Sequence, residues 1–400
     1  MIKGQCILCM PLTTWDSSFT NTVVKMMSIL SKENKILFVD YQYSVKDVFN
    51  TILGKKYIPL KRIMGVEPRL RKVLTEFGSE IYVLSPPPVL PSNGISSSEI
   101  YKFIIQLNAS IVKSAITKAL QDLQIENPVV VNGYNPFLGL PLIGAFNERL
   151  HVYYCYDEIR GDIWYKNHGP AIEEKYMKKV DLVIATSDAL HESKSCINPN
   201  CFVVKNGVDF ELFNSARSHR SLTNRKVVAY TGSVDERFDT ELMRFVIEES
   251  PSIDFEFLGR VTNPSAKDQL EKFPNVTFLG SRSPKEVPEY LKGVNACIIP
   301  YLKNEVTWGV YPLKINEYLA AGKPVVMTSF APLKEFEGVV SQADTKENFL
   351  ELLHMELNSD STAKIDERVA LARNNSWENR VETFSEIIEM SLLKRREVLV

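Results

Sequence analysis

Residues 300–326 read PYLKNEVTWGVYPLKINEYLAAGKPVV. The apolar run that ends at Tyr301 predicts a buried strand, and the closing valines predict the start of the next one. Between them, Pro312 suits the first turn of a helix, and Gly322 suits the position just past a helix end. The stretch therefore predicts a strand, a loop, a helix over residues 312–321 and a second strand.

The same alternation of short apolar runs and helix-length amphipathic stretches extends along the chain. The runs are rich in Val and Ile and apolar throughout, which is typical of strands that helices cover on both faces. The strand candidates are residues 6–10, 36–40, 81–85, 129–132, 152–156, 182–186, 227–232, 255–259, 276–280, 296–301 and 325–328. These are too many for one sheet, and the series restarts after a polar stretch at residues 215–225.

The pattern predicts an α/β chain of two Rossmann-like domains whose parallel sheets face a cleft. We expect the first domain over residues 1–200 and the second over residues 201–375. Apolar residues at helical spacing in residues 376–400 predict a final helix, which we expect to return to the first domain.

The composition excludes several classes of protein. Apolar residues make up 44% of the 400 residues and charged residues 24%, which excludes a disordered chain. The formal net charge of −2 disfavours a globally basic nucleic-acid binder. No run approaches the roughly 18 apolar residues of a membrane helix, and the cysteines lack zinc spacing. We therefore expect a cytoplasmic protein.

The usual phosphate-binding motifs are missing from the sequence. It contains neither G-x-G-x-x-G after a strand nor G-x-x-x-x-G-K-[ST], and it has no Asp-x-Asp pair to hold a magnesium ion. We therefore expect that a phosphorylated ligand would be held by helix N-termini and basic side chains, with no metal and no cofactor.

The start of the predicted helix at 312–321 is the best candidate for such a site. Its N–H groups around Val310, Tyr311 and Leu313 would face an anion at the carboxyl edge of the sheet. Lys314 would lie in the first turn, where a positive charge is unfavourable because the helix dipole is also positive there. A lysine at this position is easier to explain if it contacts a ligand phosphate. Glu317 lies on the same helix face and could accept hydrogen bonds from ribose hydroxyls. The alternative is an ordinary surface Lys–Glu pair.

This stretch resembles the donor-site helix of GT-B glycosyltransferases, in particular GT4-like enzymes of bacterial surface polysaccharides such as the teichuronic-acid and xanthan types. Three further segments agree in order and spacing, namely NGVD at 206–209, AYTGS at 229–233 and NSW at 375–377. Together these segments span nearly the whole C-terminal half. The N-terminal half agrees only in its strand–helix rhythm.

The resemblance implies a nucleotide-diphosphate-sugar donor, with Glu317 on the ribose, Lys314 on the diphosphate and an open glycine turn beside the phosphates. Arg237 and Arg260 are further candidates for contact with the diphosphate. The alternative is that each is an ordinary exposed arginine. With the helix start, the predicted donor-binding residues are Gly232, Ser233, Arg237, Arg260, Val310, Tyr311, Lys314 and Glu317.

The sequence departs from the family pattern at two positions. Many retaining members carry Glu-x7-Glu, but the position eight residues before Glu317 is Gly309. The basic residue usual after the glycine turn is replaced by Ser233. Retention or inversion of configuration therefore stays open.

Two candidate groups lie in the N-terminal half. Asp157 ends an apolar strand and is either the general base for an acceptor hydroxyl or a helix-capping residue. The loop after the first strand carries Trp15, Asp16 and Ser17, which suit acceptor sugar binding or helix capping.

Residues 55–74 mix basic and apolar side chains. The basic ones are Lys55, Lys56, Lys61, Arg62, Arg69, Arg71 and Lys72, against the single acid Glu67. Such a segment is typical of contact with an anionic membrane surface or a lipid-diphosphate acceptor, or else of a solvated basic face. A membrane contact would make the protein peripheral at the inner face of the plasma membrane.

These features together predict a metal-independent, hexosyltransferase-type enzyme. It would transfer sugar from a nucleotide-diphosphate sugar to a hydroxyl of a lipid-linked or oligosaccharide acceptor in bacterial surface polysaccharide or capsule synthesis. The alternatives are a sugar-nucleotide epimerase of the same fold and a non-catalytic partner subunit that binds nucleotide sugar.

Overall fold

The structure is a computed structural model, and its contacts divide the chain into two compact units. Unit 1 comprises Met1–Lys205 and the residues from Val381 onward, and unit 2 comprises Asn206–Arg380. The division falls after Lys205 instead of after residue 200, and unit 2 extends past the predicted end at residue 375. The structure describes residues 1–16, 21–161, 167–217 and 225–399, with side chains up to residue 395.

Unit 1 contains a largely parallel sheet. Its strands are β1 (Cys6–Cys9), β2 (Lys35–Val39), β3 (Leu70–Leu74), β4 (Glu80–Leu84), β5 (Val129–Gly133), β6 (Leu150–Cys155), β7 (Leu182–Ala185) and β8 (Cys201–Val203). Their order in the sheet is β3-β4-β2-β1-β5-β6-β7-β8. The chain runs outward from β1 to β2 and β4, then returns to β5 on the other side of β1. Ligands of open α/β sheets bind where the strand order reverses, here at the carboxyl ends of β1 and β5.

Helices connect these strands, as the sequence predicts. They are α1 (Thr22–Leu30), α2 (Val45–Ile52), α3 (Leu60–Ile63), α4 (Ser98–Asp122), α5 (Pro136–Leu142), α6 (Gly169–Met177) and α7 (Asp188–Ser195). Each long helix begins at a side-chain cap where the sequence provides one. Ser44 caps α2 in a reciprocal arrangement with Asp47, and Ser97 caps α4.

The sequence does not predict strand β3. Its residues LRKVL lack an apolar run, because β3 is an antiparallel edge strand that pairs only with β4. Charged side chains are tolerated at such an edge, where part of the strand faces water. The strand lies within the basic segment 55–74, so the last five residues of that segment belong to the sheet.

A buried ionic cluster fixes the loop that follows β6. Lys194 on α7 lies 2.8 Å from Glu173 on α6 and 3.1 Å from Glu158, which directly follows Asp157. Lys194 and Glu173 are almost completely buried. The Tyr153 hydroxyl donates a further 2.7 Å hydrogen bond to Glu173. Removal of one partner from such a cluster leaves an uncompensated buried charge.

Unit 2 repeats the architecture around a second, wholly parallel sheet. Its strands are β9 (Lys226–Thr231), β10 (Ile253–Leu258), β11 (Val276–Gly280), β12 (Ala296–Ile299), β13 (Val325–Thr328) and β14 (Ser341–Ala343). They lie in the order β11-β10-β9-β12-β13-β14, so the strand order reverses between β9 and β12. The helices are α8 (Phe210–Asn214), α9 (Thr240–Glu248), α10 (Pro264–Leu270), α11 (Val287–Leu291), α12 (Glu305–Trp308), α13 (Leu313–Ala320), α14 (Lys346–Asn358), α15 (Thr362–Asn374) and α16 (Trp377–Leu399).

The last helix, α16, starts in unit 2 and continues in unit 1. There Phe384 is buried and packs edge-on against Tyr154 of β6, with ring centroids 6.1 Å apart. Across the described residues, no helix combines the length and the apolar character that a membrane crossing requires.

We expect Lys194→Met to destabilise unit 1 by about 3–5 kcal/mol, because Glu173 and Glu158 would be left buried without their cation. The measurement is urea unfolding followed by circular dichroism. Lys178→Met is the matched control, since Lys178 pairs with Glu174 on the exposed surface of the neighbouring α6. That pair is exposed to solvent, and surface pairs of this kind contribute little to stability. Equal stability of the two variants would contradict this role of the cluster.

Candidate active site

The strand-order reversal of unit 2 places three predicted elements close together. Gly232 directly follows β9, Tyr301 lies just after β12, and Lys314 stands in the first turn of α13. The predicted loop between β12 and α13 contains an additional short helix, α12, which Asn304 caps with two hydrogen bonds. Short polar stretches such as KNEVT carry little periodicity, so the sequence does not reveal this helix.

Helix α13 begins one residue later than predicted. Pro312 is its N-cap, with an extended backbone, and Gly322 follows its end in the left-handed conformation. The Val310 N–H donates a 3.0 Å hydrogen bond to the Thr307 carbonyl, so the prediction that it faces an anion is wrong. Among the described residues, nothing accepts a hydrogen bond from the backbone N–H of Leu313 or Lys314. These two donors carry the positive end of the helix dipole.

Lys314 is a buried cation that has no carboxylate partner among the described residues. Its residue is 9% exposed, and its Nζ lies 3.8 Å from the centre of the Tyr230 ring and 5.1 Å from that of Tyr301. No described carboxylate lies within 4 Å of it. Burial lowers the pKa of Lys314, and Tyr301 partly opposes that shift. An anionic ligand would supply the charge that this ammonium lacks.

Two glycines keep the space beside the ammonium open. Gly232 has a φ of +133°, and a Cβ at this position would lie 2.6 Å from the Nζ of Lys314. Gly259, which follows β10, would place a Cβ only 2.0 Å from the Gly232 carbonyl oxygen. The two strand ends are joined by a 2.8 Å hydrogen bond from Gly232 N–H to the Leu258 carbonyl. Side chains at either glycine would therefore close the turn.

The two predicted arginines differ in their surroundings. Arg237 forms a 2.6 Å ion pair with Asp235 and lies 5.4 Å from the centre of the Tyr301 ring. Burial raises the pKa of Tyr301, but the cations of Lys314 and Arg237 outweigh burial and lower it overall. Arg260 is exposed just after β10. Arg237 therefore contributes to the positive field around Tyr301 while its own charge is compensated.

Ser233 and Tyr311 have structural partners of their own. The Ser233 carbonyl accepts a 2.8 Å hydrogen bond from the Tyr230 hydroxyl, which fixes the ring that faces Lys314. The buried Tyr311 hydroxyl donates to Glu335 at 2.8 Å and accepts a bond from Asn316 at 3.0 Å. Tyr311 thus anchors the segment before α13 to the interior of unit 2.

Glu317 lies one turn after Lys314 on α13. It is half-buried, and its carboxylate accepts no hydrogen bond from a described residue. Burial raises the pKa of Glu317 from 4.5 to about 7, and the positive charge of Lys314 opposes the shift. A carboxyl group with this pKa changes its ionisation near neutral pH. Lys314 is buried and Glu317 is half-buried, so these two residues are not the exposed Lys–Glu pair that the sequence allows as the alternative.

The candidate residues of unit 1 do not form a single group in the structure. The Asp157 carboxylate accepts a 2.9 Å hydrogen bond from the N–H of the next residue, Glu158. The Trp15 N–H donates to Asp40 at 2.8 Å, and Asp16 pairs with Arg71. Ser17 lies outside the described residues.

A cavity of about 110 Å³ lies where the strand order of unit 1 reverses. Amide and aromatic side chains line it, and Trp15, Asp16 and Asp157 are not among them. Its polar and aromatic lining includes Tyr41, Gln42, Tyr101, Asn108, Asn135 and His168. Gln42 and Asn135 follow β2 and β5 closely, so their position after predicted strands is the signal that could have identified them. No trio of His, Cys, Asp or Glu among the described residues is arranged to hold a metal ion.

Comparison with known proteins agrees with these features. Residues 225–354 match the family described as "Glycosyl transferases group 1". A putative teichuronic acid biosynthesis glycosyltransferase of Bacillus subtilis, TuaH, is 29% identical over 222 residues. That alignment covers 51% of this chain and 56% of the relative, so the chain spans only about half the length of this relative.

Solved structures establish the fold of the whole chain. The α,α-trehalose 6-phosphate synthase of Burkholderia multivorans superposes with a TM-score of 0.69 at 10% identity, covering 100% of both chains. HepE of Anabaena, in complex with UDP and glucose, has a TM-score of 0.63 at 14% identity, covering 96% of this chain and 99% of its own. The chain therefore has the GT-B fold, and the predicted resemblance to GT-B glycosyltransferases is confirmed.

The pKa of Glu317 predicts a pH-dependent stability. Below pH 4.5 the carboxyl is protonated in the folded and unfolded states and contributes nothing. Between pH 4.5 and 7 the unfolded chain loses this proton while the folded protein keeps it, so stability falls across that window and levels off above pH 7. We expect Glu317→Gln to gain stability over the wild type by roughly 2–3 kcal/mol more at pH 8 than at pH 5.

The measurement is urea unfolding of both proteins at the two pH values, without ligand. Glu351→Gln on α14 is the matched control, because Glu351 is exposed and lies outside the site. A Glu317→Gln advantage that is the same at pH 5 and pH 8 would show that Glu317 is not protonated preferentially in the folded state.

Proposed function

We propose that the protein is a glycosyltransferase that uses a nucleotide-diphosphate sugar. The GT-B fold and the match of residues 225–354 to the group 1 glycosyl transferases support this proposal. One observation carries the proposal. The ammonium of Lys314 is buried against the open Gly232 turn and has no described carboxylate partner. This arrangement is suited to an anionic ligand at the start of α13.

The charges of unit 2 suit the departure of a diphosphate. The leaving group gains negative charge in the transition state, and fixed positive groups stabilise that charge without having to reorganise. Lys314 and the N–H groups of Leu313 and Lys314 would supply this stabilisation, so the proposed reaction needs no metal. Glu317 would accept hydrogen bonds from the ribose hydroxyls once it is ionised. The UDP held by HepE makes a uridine nucleotide the first donor to test.

The acceptor is proposed to bind unit 1. Amide side chains hydrogen-bond sugar hydroxyls and aromatic rings pack on sugar faces, and the cavity that holds Gln42, Asn135 and Tyr101 offers both. Asp157 is proposed as the general base for the acceptor hydroxyl. The likeness to the teichuronic acid enzyme supports a role in bacterial surface polysaccharide synthesis, and the acceptor is proposed to be lipid-linked or an oligosaccharide.

We expect Lys314→Met to abolish sugar transfer and donor binding, because the positive charge is lost. Methionine keeps an apolar side chain of similar length, so the packing around it is preserved. Lys314→Ala should have the same effect. The measurement is a thermal-shift series with UDP, GDP, CMP and TDP sugars, since a ligand that binds the folded state raises its melting temperature. The matched control is Lys323→Met, which removes another buried lysine of unit 2. No shift of the wild type by any of these sugars would contradict the proposed donor site.

The Gly232 turn allows a second test of the site. Gly232→Ala should weaken donor binding at least tenfold, because the new Cβ would lie 2.6 Å from the Lys314 Nζ at a φ that L side chains rarely adopt. Gly293→Ala is the control, since a Cβ there meets no atom closer than 3.9 Å. Titration of the best donor by calorimetry measures both. Equal affinities would place the diphosphate elsewhere.

Turnover with and without acceptor separates the proposed transferase from its alternatives. Release of free nucleotide diphosphate that requires an acceptor supports the transferase. Interconversion of the donor sugar without an acceptor would identify an epimerase. Donor binding without turnover on any lipid-linked or oligosaccharide acceptor would identify a non-catalytic partner subunit.

A further inference from the structure

Helix α2 exposes its apolar side. None of its residues is buried, although its sequence VKDVFNTI has a clear apolar stripe. Val45, Phe49 and Ile52 stand at positions i, i+4 and i+7, so they share one face, and Leu53 continues it. Phe49 is 61% exposed and Ile52 67%. An amphipathic helix normally turns this stripe towards the protein core, and α2 does not.

The first half of α4 presents a second exposed apolar stripe. Ile100, Phe103 and Leu107 stand at positions i, i+3 and i+7, and Phe103 is 64% exposed. The opposite side of the same helix packs into the core of unit 1 through residues such as Ala109 and Val112. The exposure therefore belongs to one face of an otherwise well-packed helix.

Backbone hydrogen bonds connect the two stripes. The Val45 N–H donates to the Val89 carbonyl at 2.9 Å. The next residue, Leu90, exchanges two hydrogen bonds with the Asn108 side chain, at 2.8 and 2.9 Å. Leu90 is itself exposed and thus lies between the start of α2 and the middle of α4. We define the apolar face as Val45, Phe49, Ile52, Leu53, Leu90, Ile100, Phe103 and Leu107.

The loop after α2 extends this face. A 2.8 Å hydrogen bond from the Lys55 N–H to the Asn50 carbonyl holds the loop against the helix. Ile58 and Ile63 are buried and fix the loop and α3 to unit 1. Tyr57 is 92% exposed between them. The two buried isoleucines thus hold the loop in place, while the aromatic side chain of Tyr57 stays exposed to water.

The structure sorts the basic residues of segment 55–74 into two groups. The first group has partners within the protein: Lys56 pairs with Asp47 at 2.6 Å, Lys72 pairs with Glu80 at 2.9 Å, Arg62 and Arg71 pair with Asp16, and Arg69 donates to the Ile63 carbonyl. The sequence alone groups all the basic residues of the segment into one positive patch. That prediction is too broad, because these five side chains are engaged within the protein.

The second group of basic residues, Lys55 and Lys61, is exposed beside the apolar face together with Lys46, which precedes the segment. Lys46, Lys55 and Lys61 have no carboxylate within 4 Å among the described residues. Lys46 lies on α2, Lys55 follows that helix, and Lys61 lies on α3. Glu67 is the acidic residue of the same segment, so the surface keeps a positive charge.

We propose that the apolar face, with Lys46, Lys55 and Lys61, docks unit 1 on an anionic lipid bilayer. An amphipathic helix of this kind lies in the plane of the interface, with its apolar side among the acyl chains and its lysines at the phosphates. Each lysine near an anionic surface strengthens binding by about fivefold. The positive charge of the rim favours lipid over a second copy of this chain, whose face would carry the same charge. This surface goes beyond the proposed donor site and does not depend on it.

The test is co-sedimentation of the full chain with vesicles at low salt. We expect binding to vesicles of phosphatidylglycerol and phosphatidylcholine in equal parts, and much weaker binding to phosphatidylcholine alone. Phe49→Asp with Ile52→Asp should weaken binding at least tenfold. Replacing Lys46, Lys55 and Lys61 by Glu should remove the preference for anionic lipid.

The controls change exposed residues elsewhere on the chain. Met355→Asp with Met390→Asp matches the apolar change, because both methionines are similarly exposed outside the face. Lys226, Lys272 and Lys285, replaced by Glu, match the charge change. Melting temperatures and donor-induced shifts of the variants should stay at the wild-type values, which separates this test from that of the proposed function.

Two results would overturn the membrane assignment. The first is a wild type that fails to sediment with anionic vesicles, or a Phe49→Asp, Ile52→Asp variant that binds them as well as the wild type does. The second is a wild type that forms a dimer by light scattering while the same variant is a monomer, which would assign the face to a second copy of the chain.

Discussion

The ammonium of Lys314 sets the conditions for the rest of unit 2. A cation that is buried without a carboxylate is costly, and here it is tolerated because it faces the Tyr230 ring at 3.8 Å and the open Gly232 turn. The site therefore requires an aromatic ring at Tyr230 and the absence of a side chain at Gly232. A larger residue at Gly232 would meet the ammonium, and one at Gly259 would clash with the Gly232 carbonyl oxygen. The strand ends of β9 and β10 are thus shaped around a single side chain of α13.

The position of that side chain depends on a buried asparagine network. Asn316 accepts a 2.9 Å hydrogen bond from Asn375 and donates to the Tyr311 hydroxyl, while Asn206 donates to the Tyr311 carbonyl at 2.9 Å. Gly207 allows the backbone of Trp377 to approach, because a Cβ there would lie 2.8 Å from its Cα. The network joins three segments that are distant in sequence and fixes the start of α13. It connects the NGVD, YPLKINE and NSW segments of this chain in one structural unit.

The sequence predicts the elements of this site better than their surroundings. Helix α13, the glycine turn and the strand series follow from local signals, namely apolar periodicity, Pro312 and Gly322. The Val310 N–H could not be assigned, because the short α12 that accepts its hydrogen bond leaves no periodic trace. Nor could the unusual pKa of Glu317, which arises from tertiary burial. The edge strand β3 was missed for the same reason, since its charged residues find partners only once β4 and Asp16 are in place.

The apolar face and the cavity of unit 1 share their supporting elements. Tyr101, Ile105 and Asn108 of α4 line the cavity, while Phe103 and Leu107 of the same helix belong to the face. Val89 also lines the cavity, and Leu90 beside it is part of the face. Helix α4 therefore connects the proposed membrane contact with the proposed acceptor cavity. A displacement of this helix at the bilayer would also move the side chains of Tyr101 and Asn108 that line the cavity.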